Sequence, residues 1–328
     1  MMTWRAVPLL ALSTLLATGA GCAIAQPQSA AFPSKPMRLI LPYPPGGGTD
    51  FIARPLAQRL SDQLHQPVVV DNRGGANGNI GMELAAKAAP DGHTLVLALS
   101  AQLAINPALY ERLPYDPVRD FEPVTLLGTN AYVLLVHPSL PVKNVKELFA
   151  LARQRPGQLA YGSAGNGSGA HLAAELMNSM AGLRMIHIPY KGGGPGLVDL
   201  VAGNIQIMFA TYLSSKPLID AGRLRPLAVS TARPLPGLAL PTIANQALPG
   251  FDAAAWYAVL APAGTPRDLV TRLNKEVIRA SRHEELRAVY ARGAIEPIDG
   301  GPDELAAFMK AELAKWAKVV REARVKVD

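Results

Sequence analysis

Cysteine is almost missing from the 328-residue chain: Cys22 is the single one. That excludes a disulfide framework and any cysteine-built zinc or iron–sulfur centre. Histidine is scarce as well. The six, at positions 65, 93, 137, 171, 187 and 283, form no H-x-H or H-E-x-x-H pair, so no metal site is expected. Charged residues reach only 17%, below the ~25% of typical soluble domains. Lysine and arginine are dispersed, with no basic stripe interleaved with aromatics. A net charge of +7 therefore does not point to nucleic acid. Beyond the leader, no apolar run reaches the ~18 residues of a membrane span. What remains is 49% apolar, too much for disorder. The 29 glycines and 29 prolines are scattered between periodic segments, which rules out collagen-like and low-complexity chains. Length suits two domains.

Residues 1–25 read as a secretory signal peptide. Arg5 precedes an apolar stretch from Val7 to Leu16, and Ala23-Ile24-Ala25 offers an A-x-A cleavage site before Gln26. Cleavage before Cys22 would instead permit a lipid anchor. Gly19-Ala20-Gly21 lacks the bulky aliphatic residue usual three before such a cysteine, so cleavage after Ala25 is expected. The mature chain then holds no cysteine, which suits an oxidising compartment.

Short apolar runs alternate with helix-like patterns. Met37–Leu41, Val68–Val70 and Leu95–Leu99 read as strands, with helices through Leu56, Leu60 and Leu64 and near Met82–Ala88. Pro55 predicts a kink or a late start in the first helix. This is the βαβ order of an α/β fold, a parallel sheet covered by helices on both faces. After Pro107–Pro123 the pattern restarts. Val124–Leu127, Tyr132–Val136, Leu159–Tyr161, Met185–Ile188, Ile205–Phe209 and Leu227–Val229 are strand-like. Leu269–Ala280 and a stripe of Leu305, Phe308, Met309, Leu313, Trp316 and Val320 after Pro302 predict core-packed C-terminal helices. Glycine-rich loops join strand to helix at 46–48, 73–78, 162–169 and 190–194, two in each half. Facing each other across a cleft, such loops gather backbone N–H groups and positive helix ends able to hold an anion.

Enzyme motifs fit poorly. Gly165-Asn166-Gly167-Ser168-Gly169 is G-x-G-x-G, not a dinucleotide fingerprint, and no loop ends in Gly-Lys-Ser/Thr. Ser163 misses the G-x-S-x-G elbow because Tyr161 stands where the first glycine belongs. A serine hydrolase would have only Ser163 or Ser168 with His171 available by proximity.

The chain resembles the substrate-binding receptors of tripartite tricarboxylate transporters, the Bug family of periplasmic solute-binding proteins. The resemblance runs from about Pro36 to the C-terminus. Its carriers are Tyr43 to Asp50 (YPPGGGTD), Val70 to Gly81 (VDNRGGANGNIG), Asn106 to Tyr110 (NPALY), and Ser163 to Ser168 with His171. They continue through Ile188 to Gly192 (IPYKG), Ala221 to Arg225 (AGRLR) with Leu227-Ala228, and Trp256 with Ala261 to Pro266 (APAGTP). The resemblance implies a two-lobed Venus-flytrap fold: two parallel-rich sheets flanked by helices and joined by two crossing strands near Val124–Leu127 and Trp256–Leu260. Residues 26–127 and 254–328 would form domain 1, with domain 2, residues 128–253, inserted. It also implies no enzymatic activity, no cofactor, a monomer in the periplasm, and partners in a small organic carboxylate and a permease of one large and one small membrane subunit. A sensor for a two-component system is the alternative use of the same fold.

Carried over residue by residue, the resemblance puts Tyr43, Gly47, Gly48, Thr49 and Asp50 in the first ligand loop, and Ser100, Ala101 and Gln102 beside it. Ser163, Gly165, Asn166, Gly167, Ser168 and His171 form the facing loop. Tyr190, Lys191 and Gly192 close one end, and Ala210 and Thr211 follow the strand at Ile205–Phe209. Family members that bind amino acids carry an aspartate where Ala210 stands. Without it a ligand ammonium loses a charge-assisted hydrogen bond of about 1.5–3 kcal/mol, so an amine-free carboxylate (a di- or tricarboxylate or an aromatic acid) is expected.

Overall fold

The computed structural model describes residues 1–3, 32–45, 49–235, 238–323 and 325. The expected cleavage site after Ala25, Cys22, and the loop residues Gly47 and Gly48 lie outside the described residues. Among these, no helix is long and apolar enough to cross a membrane.

Ten strands carry the fold: β1 (Met37–Leu41), β2 (Val68–Asn72), β3 (Thr94–Leu99), β4 (Phe121–Val136), β5 (Ala160–Ser163), β6 (Ile186–Pro189), β7 (Ile207–Thr211), β8 (Arg225–Val229), β9 (Ala254–Pro262) and β10 (Ile295–Pro297). They hydrogen-bond in the order β2-β1-β3-β9-β4-β7-β5-β6, with β8 and β10 also on β4. β2-β1-β3 and β7-β5-β6 are parallel, as the two βαβ patterns require. The middle is antiparallel, through β3–β9, β9–β4 and β4–β7. Two α/β lobes are thus joined through a mixed sheet.

β4 is the joint. Val124–Leu127 and Tyr132–Val136, expected as two strands, form one strand of 16 residues. Gly128, Thr129 and Asn130 continue it because they pair with Tyr257, Trp256 and Ala255 of β9. Glycine is required at 128: a Cβ there would stand 2.6 Å from the Glu296 carbonyl oxygen on β10. Phe121 to Ala131 pair with β9 in the first lobe, and Tyr132 to Val136 pair with β7 and β8 in the second. The chain returns at Ala253, whose N–H still donates to Ser230 O in the second lobe (2.9 Å).

The first helix runs from Asp50 to Leu64 through Pro55 without a late start. Pro55 sits one turn in, and the carbonyl it orphans is that of Phe51, an exposed residue. A five-residue π-helical turn, Ala101–Ile105, and the pair formed by helix Glu284–Gly293 and β10 were not expected, although Leu286, Val289 and Tyr290 give that helix a short buried stripe.

One buried cluster fills the first lobe and another the second. A third spans both, with Ile40, Val96 and Trp256 from one side and Leu134, Tyr161 and Phe209 from the other. Helix Pro302–Ala323 covers it, burying Leu305, Met309 and Trp316 from the expected stripe. Inside, the indoles of Trp256 and Trp316 both donate to Glu312 Oε2, at 2.9 and 3.0 Å. Each indole thereby keeps a hydrogen bond without reaching water.

Candidate functional site

Register places the cleft. Leu99, the last residue of β3, pairs with Tyr257, which pairs with Gly128. Thr211, the last residue of β7, pairs with Tyr132. Gly128 and Tyr132 are four residues apart on β4, roughly 13 Å at the rise of a strand. The carboxyl ends of the parallel strands in both lobes therefore converge on one stretch of the crossing strand. Ligands bind beyond strand carboxyl ends in α/β folds.

On the first lobe, the loop after β1 is held by side chains of two other loops. Gln102 is fully buried. Its Nε2 donates to the Tyr43 hydroxyl and to Asn77 O, both at 2.8 Å, while its Oε1 accepts from Leu99 N at 3.1 Å. Its position closes Gly78 to any side chain, because a Cβ there would meet Nε2 at 2.6 Å. Asn106 donates to Asn77 O and Asn79 Oδ1, and Tyr115 donates to Gln102 O. Gln102 is thus a tie between loops, with its amide fully engaged. Burial pushes the Tyr43 phenol up to about 12, so its hydroxyl stays protonated. Asp50 is buried, accepts from Arg54 Nε (2.7 Å) and from Asn72 Nδ2 (3.2 Å), and carries no spare charge into the cleft. Thr49 is buried at the start of that helix, and Ser100 and Ala101 are buried where the chain leaves β3.

In the second lobe, Ser168 caps helix Gly169–Ala181, its Oγ accepting from His171 N at 3.2 Å. His171 Nδ1 accepts from Gly167 N at 3.1 Å, so the neutral ring carries its proton on Nε2. The ring lies flat on His187, with centroids 3.7 Å apart and planes 8° from parallel, and Tyr161 stacks beyond. Burial lowers His171 to about 3, with His187 adding to the effect, and burial lowers His187 to about 4. Both are neutral at pH 7. Ser163 meets His187 Nε2 at 2.6 Å and exchanges hydrogen bonds with Gly165.

The pairing with His171 that a serine hydrolase would have needed is not formed by either serine hydroxyl as a nucleophile–base contact. Ser163 pairs with His187 instead of His171, and Ser168 touches only His171's backbone N–H. Ser163 is fully buried. His187 gave no signal in sequence because its contacts lie across neighbouring strands.

Gly165 and Gly167 also turn their N–H groups inward, and both need positive φ, 126° and 74°. Asn166 is exposed at the loop tip. At the closing end, Tyr190 donates to Asp199 Oδ2 (2.7 Å) on the helix that follows, Gly193–Ala202, Gly192 N donates to Ala164 O, and Lys191 is exposed. Ala210 is buried, and Thr211 Oγ1 meets Ser214 Oγ at 2.9 Å.

The structure adds a residue that no motif contained. Tyr132, on the crossing strand, rests its hydroxyl against Gly169: a Cβ there would stand 2.1 Å from that oxygen. Burial pushes the pKa of its phenol strongly up, and the phenols of Tyr257 and Tyr43 add to the rise, so it stays protonated. An apolar cavity elsewhere, lined by Tyr290, Ile295 and Arg287, holds none of the expected residues.

The chain is similar to known proteins over most of its length. The profile of the tripartite tricarboxylate transporter family receptor matches residues 52–325. Protein BugT of Bordetella pertussis is 39% identical over 322 residues, covering 97% of this chain and 98% of its own. The Rhodopseudomonas palustris protein Rpa4515, solved with adipate, is 39% identical with a TM-score of 0.82, over 90% of this chain and 99% of that one. MatC from the same organism, solved with bound malate, is 30% identical with a TM-score of 0.78, over 88% and 100%. The chain belongs to the tripartite tricarboxylate transporter receptor family, a family of periplasmic solute-binding proteins.

Proposed function

We propose that this chain captures a small amine-free carboxylate between its lobes and delivers it to a permease of one large and one small membrane subunit. The mature, monomeric receptor works in the periplasm after the leader is removed at Ala25. Residues 26–127 with 254–328 form one lobe and 128–253 the other. Ligand bridging both lobes favours the closed state by its greater affinity for it, and the permease reads that state.

The observation that carries the ligand class is the state of the acids around the cleft. Ala210 stands buried at the end of β7, where no carboxylate can meet an ammonium. Asp50 is held by Arg54 and Asn72, and Asp199 by Tyr190 and Asn204. An ammonium would enter without a free counter-charge, at a high desolvation cost. Neutral hydroxyls suit a carboxylate, and two structural relatives were solved with amine-free dicarboxylates, adipate and malate. Thr49, Ser168, Tyr43 and the first N–H groups of helix Gly169–Ala181 are the proposed contacts. Gln102 and His171 hold those contacts in place.

Thermal-shift screening followed by calorimetry tests this reading. Amine-free di- and tricarboxylates should raise the melting temperature and be recovered unchanged. Strong stabilisation by glutamate or aspartate, with none by amine-free acids, overturns it.

A further inference from the structure

The joint between the lobes holds a cavity that the proposed cleft does not use. Its volume is about 450 Å³, within the ~300–1,000 Å³ of small-molecule sites. Leu235, Tyr290, Ala291, Ala294, Ile295 and Pro297 give it apolar walls. Helix Glu284–Gly293 and β10 belong to the first lobe, and β10 pairs with β4 at Gly128, Thr129 and Asn130, where the crossing strand passes between lobes. Leu235 comes from the other side, buried in the second lobe's cluster with Val133 and Val229. The cavity is therefore walled from both sides of the joint. Ala294 helps to build that wall. It ends its helix at φ 49°, a strained conformation that favours glycine, and packs into the second lobe's cluster.

Four charged residues line the cavity, and three of them are accounted for. Arg282 donates from Nε and Nη2 to Asp299 Oδ2, both at 2.8 Å, so these two charges cancel. Glu296 lies between Ile295 and Pro297 on β10, and strand alternation turns its side chain to the opposite face. Arg287 is left. It is exposed where the cavity opens, and its guanidinium makes no ion pair or hydrogen bond among the described residues. The Tyr290 hydroxyl is already engaged with Ser281 Oγ at 3.1 Å, so that side chain offers the cavity its ring.

An apolar chamber with one unpaired guanidinium at its rim suits an apolar body that carries one anionic group. We propose that this cavity is a second ligand site, taking an organic monoanion with an apolar tail or ring. Its carboxylate lies on Arg287 and its apolar part against Tyr290, Ile295 and Leu235. A dicarboxylate suits the cleft but not these walls, where its second charge would be buried without a partner. An occupant touches both lobes, so it binds one lobe angle better than the others. That consequence rests on the closing-receptor reading; the site itself does not.

Methyl NMR and calorimetry with octanoate, and with octanol as its neutral counterpart, test the site. Octanoate should shift the methyl resonances of Leu235 and Ile295 and leave those of Leu99, at the cleft, in place. It should bind about threefold to tenfold more tightly than octanol, as an exposed charge-assisted pair provides. Arg287→Gln should bring the two within about twofold. Ala291→Trp fills the opening from an exposed position and should weaken both at least tenfold. If the tryptophan variant does not fold, the shifts in the unaltered protein still decide. Shifts at Leu99 with none at Leu235 and Ile295 put octanoate in the cleft and overturn the second site, as does the absence of binding. Equal affinity for octanoate and octanol overturns the role of Arg287. Small-angle scattering at saturating octanoate reads the bias between lobe angles as a changed radius of gyration, and an unchanged radius overturns that bias. Failure of every dicarboxylate to bind overturns the receptor reading without touching the octanoate shifts.

Discussion

Lowering the pH from 7 to 5 should weaken the fold through two stacked imidazoles. His171 and His187 sit at about 3 and about 4 in the folded protein, against an ordinary 6.5. Unfolded, each takes up a proton as the pH falls through 6.5; folded, each refuses it. The stability they contribute is therefore intact above 6.5 and drains away between 6.5 and the folded values. At pH 5 the exact folded value hardly matters, because both rings are still neutral there. The loss is 1.5 units at about 1.36 kcal/mol each, or ~2 kcal/mol per histidine. His187 is partly open to solvent, so ~2–4 kcal/mol for the pair is the expected range. That is a large share of the ~5–15 kcal/mol stability typical of domains. Asp71, Asp91, Asp120 and Asp199, all held below their ordinary 3.8 by their partners, act further down, so the window from 7 to 5 isolates the histidines. Urea unfolding at pH 7, 6 and 5 measures the effect. His187→Gln, which can keep a bond to Ser163, should lose about half of the pH dependence. A urea midpoint unchanged between pH 7 and 5 would refute the neutral, buried pair.

Gly169→Ala should weaken ligand binding at least tenfold and lower stability, because its Cβ would collide with the Tyr132 hydroxyl. Adding Tyr132→Phe removes that oxygen and should recover part of the stability, as a double-mutant cycle by thermal melting can show. Glu312→Leu strands two buried indole N–H groups and should cost about 2–5 kcal/mol in urea unfolding, whereas Glu312→Gln retains an acceptor and should cost less. Ser168→Ala should weaken binding and, by removing a helix cap, cost about 1 kcal/mol of stability. Thr49→Ala should weaken binding, and Lys191→Ala should matter less, since its side chain is exposed. Calorimetry separates them, and abolition of affinity by Lys191→Ala alone would contradict a site built from neutral donors.

Much of the fold was legible because its parallel halves are local. β1, β2 and β3 are short β-rich runs with helices between, and β5, β6 and β7 repeat the pattern, so period and glycine punctuation located them. The joint was not legible. Gly128 looks like a break, and only pairing with β9, more than 120 residues later, makes it strand. Helix Glu284–Gly293 and β10 were missed for a related reason: β10 is three residues long and exists by pairing with β4.

The site divides along the same line. Loops at strand ends announce themselves with glycine, serine and asparagine. What each residue does there is decided by contacts remote in sequence. Gln102, an expected contact, has its whole amide bound to Tyr43, Asn77 and Leu99. Ser163 answers to His187, 24 residues away. Tyr132 sits in a strand whose sequence reads only as β, yet its hydroxyl rests against Gly169, at the start of the helix that Ser168 caps. A loop motif can therefore identify the family, while the bonds each loop side chain makes are decided by neighbours that no motif contains.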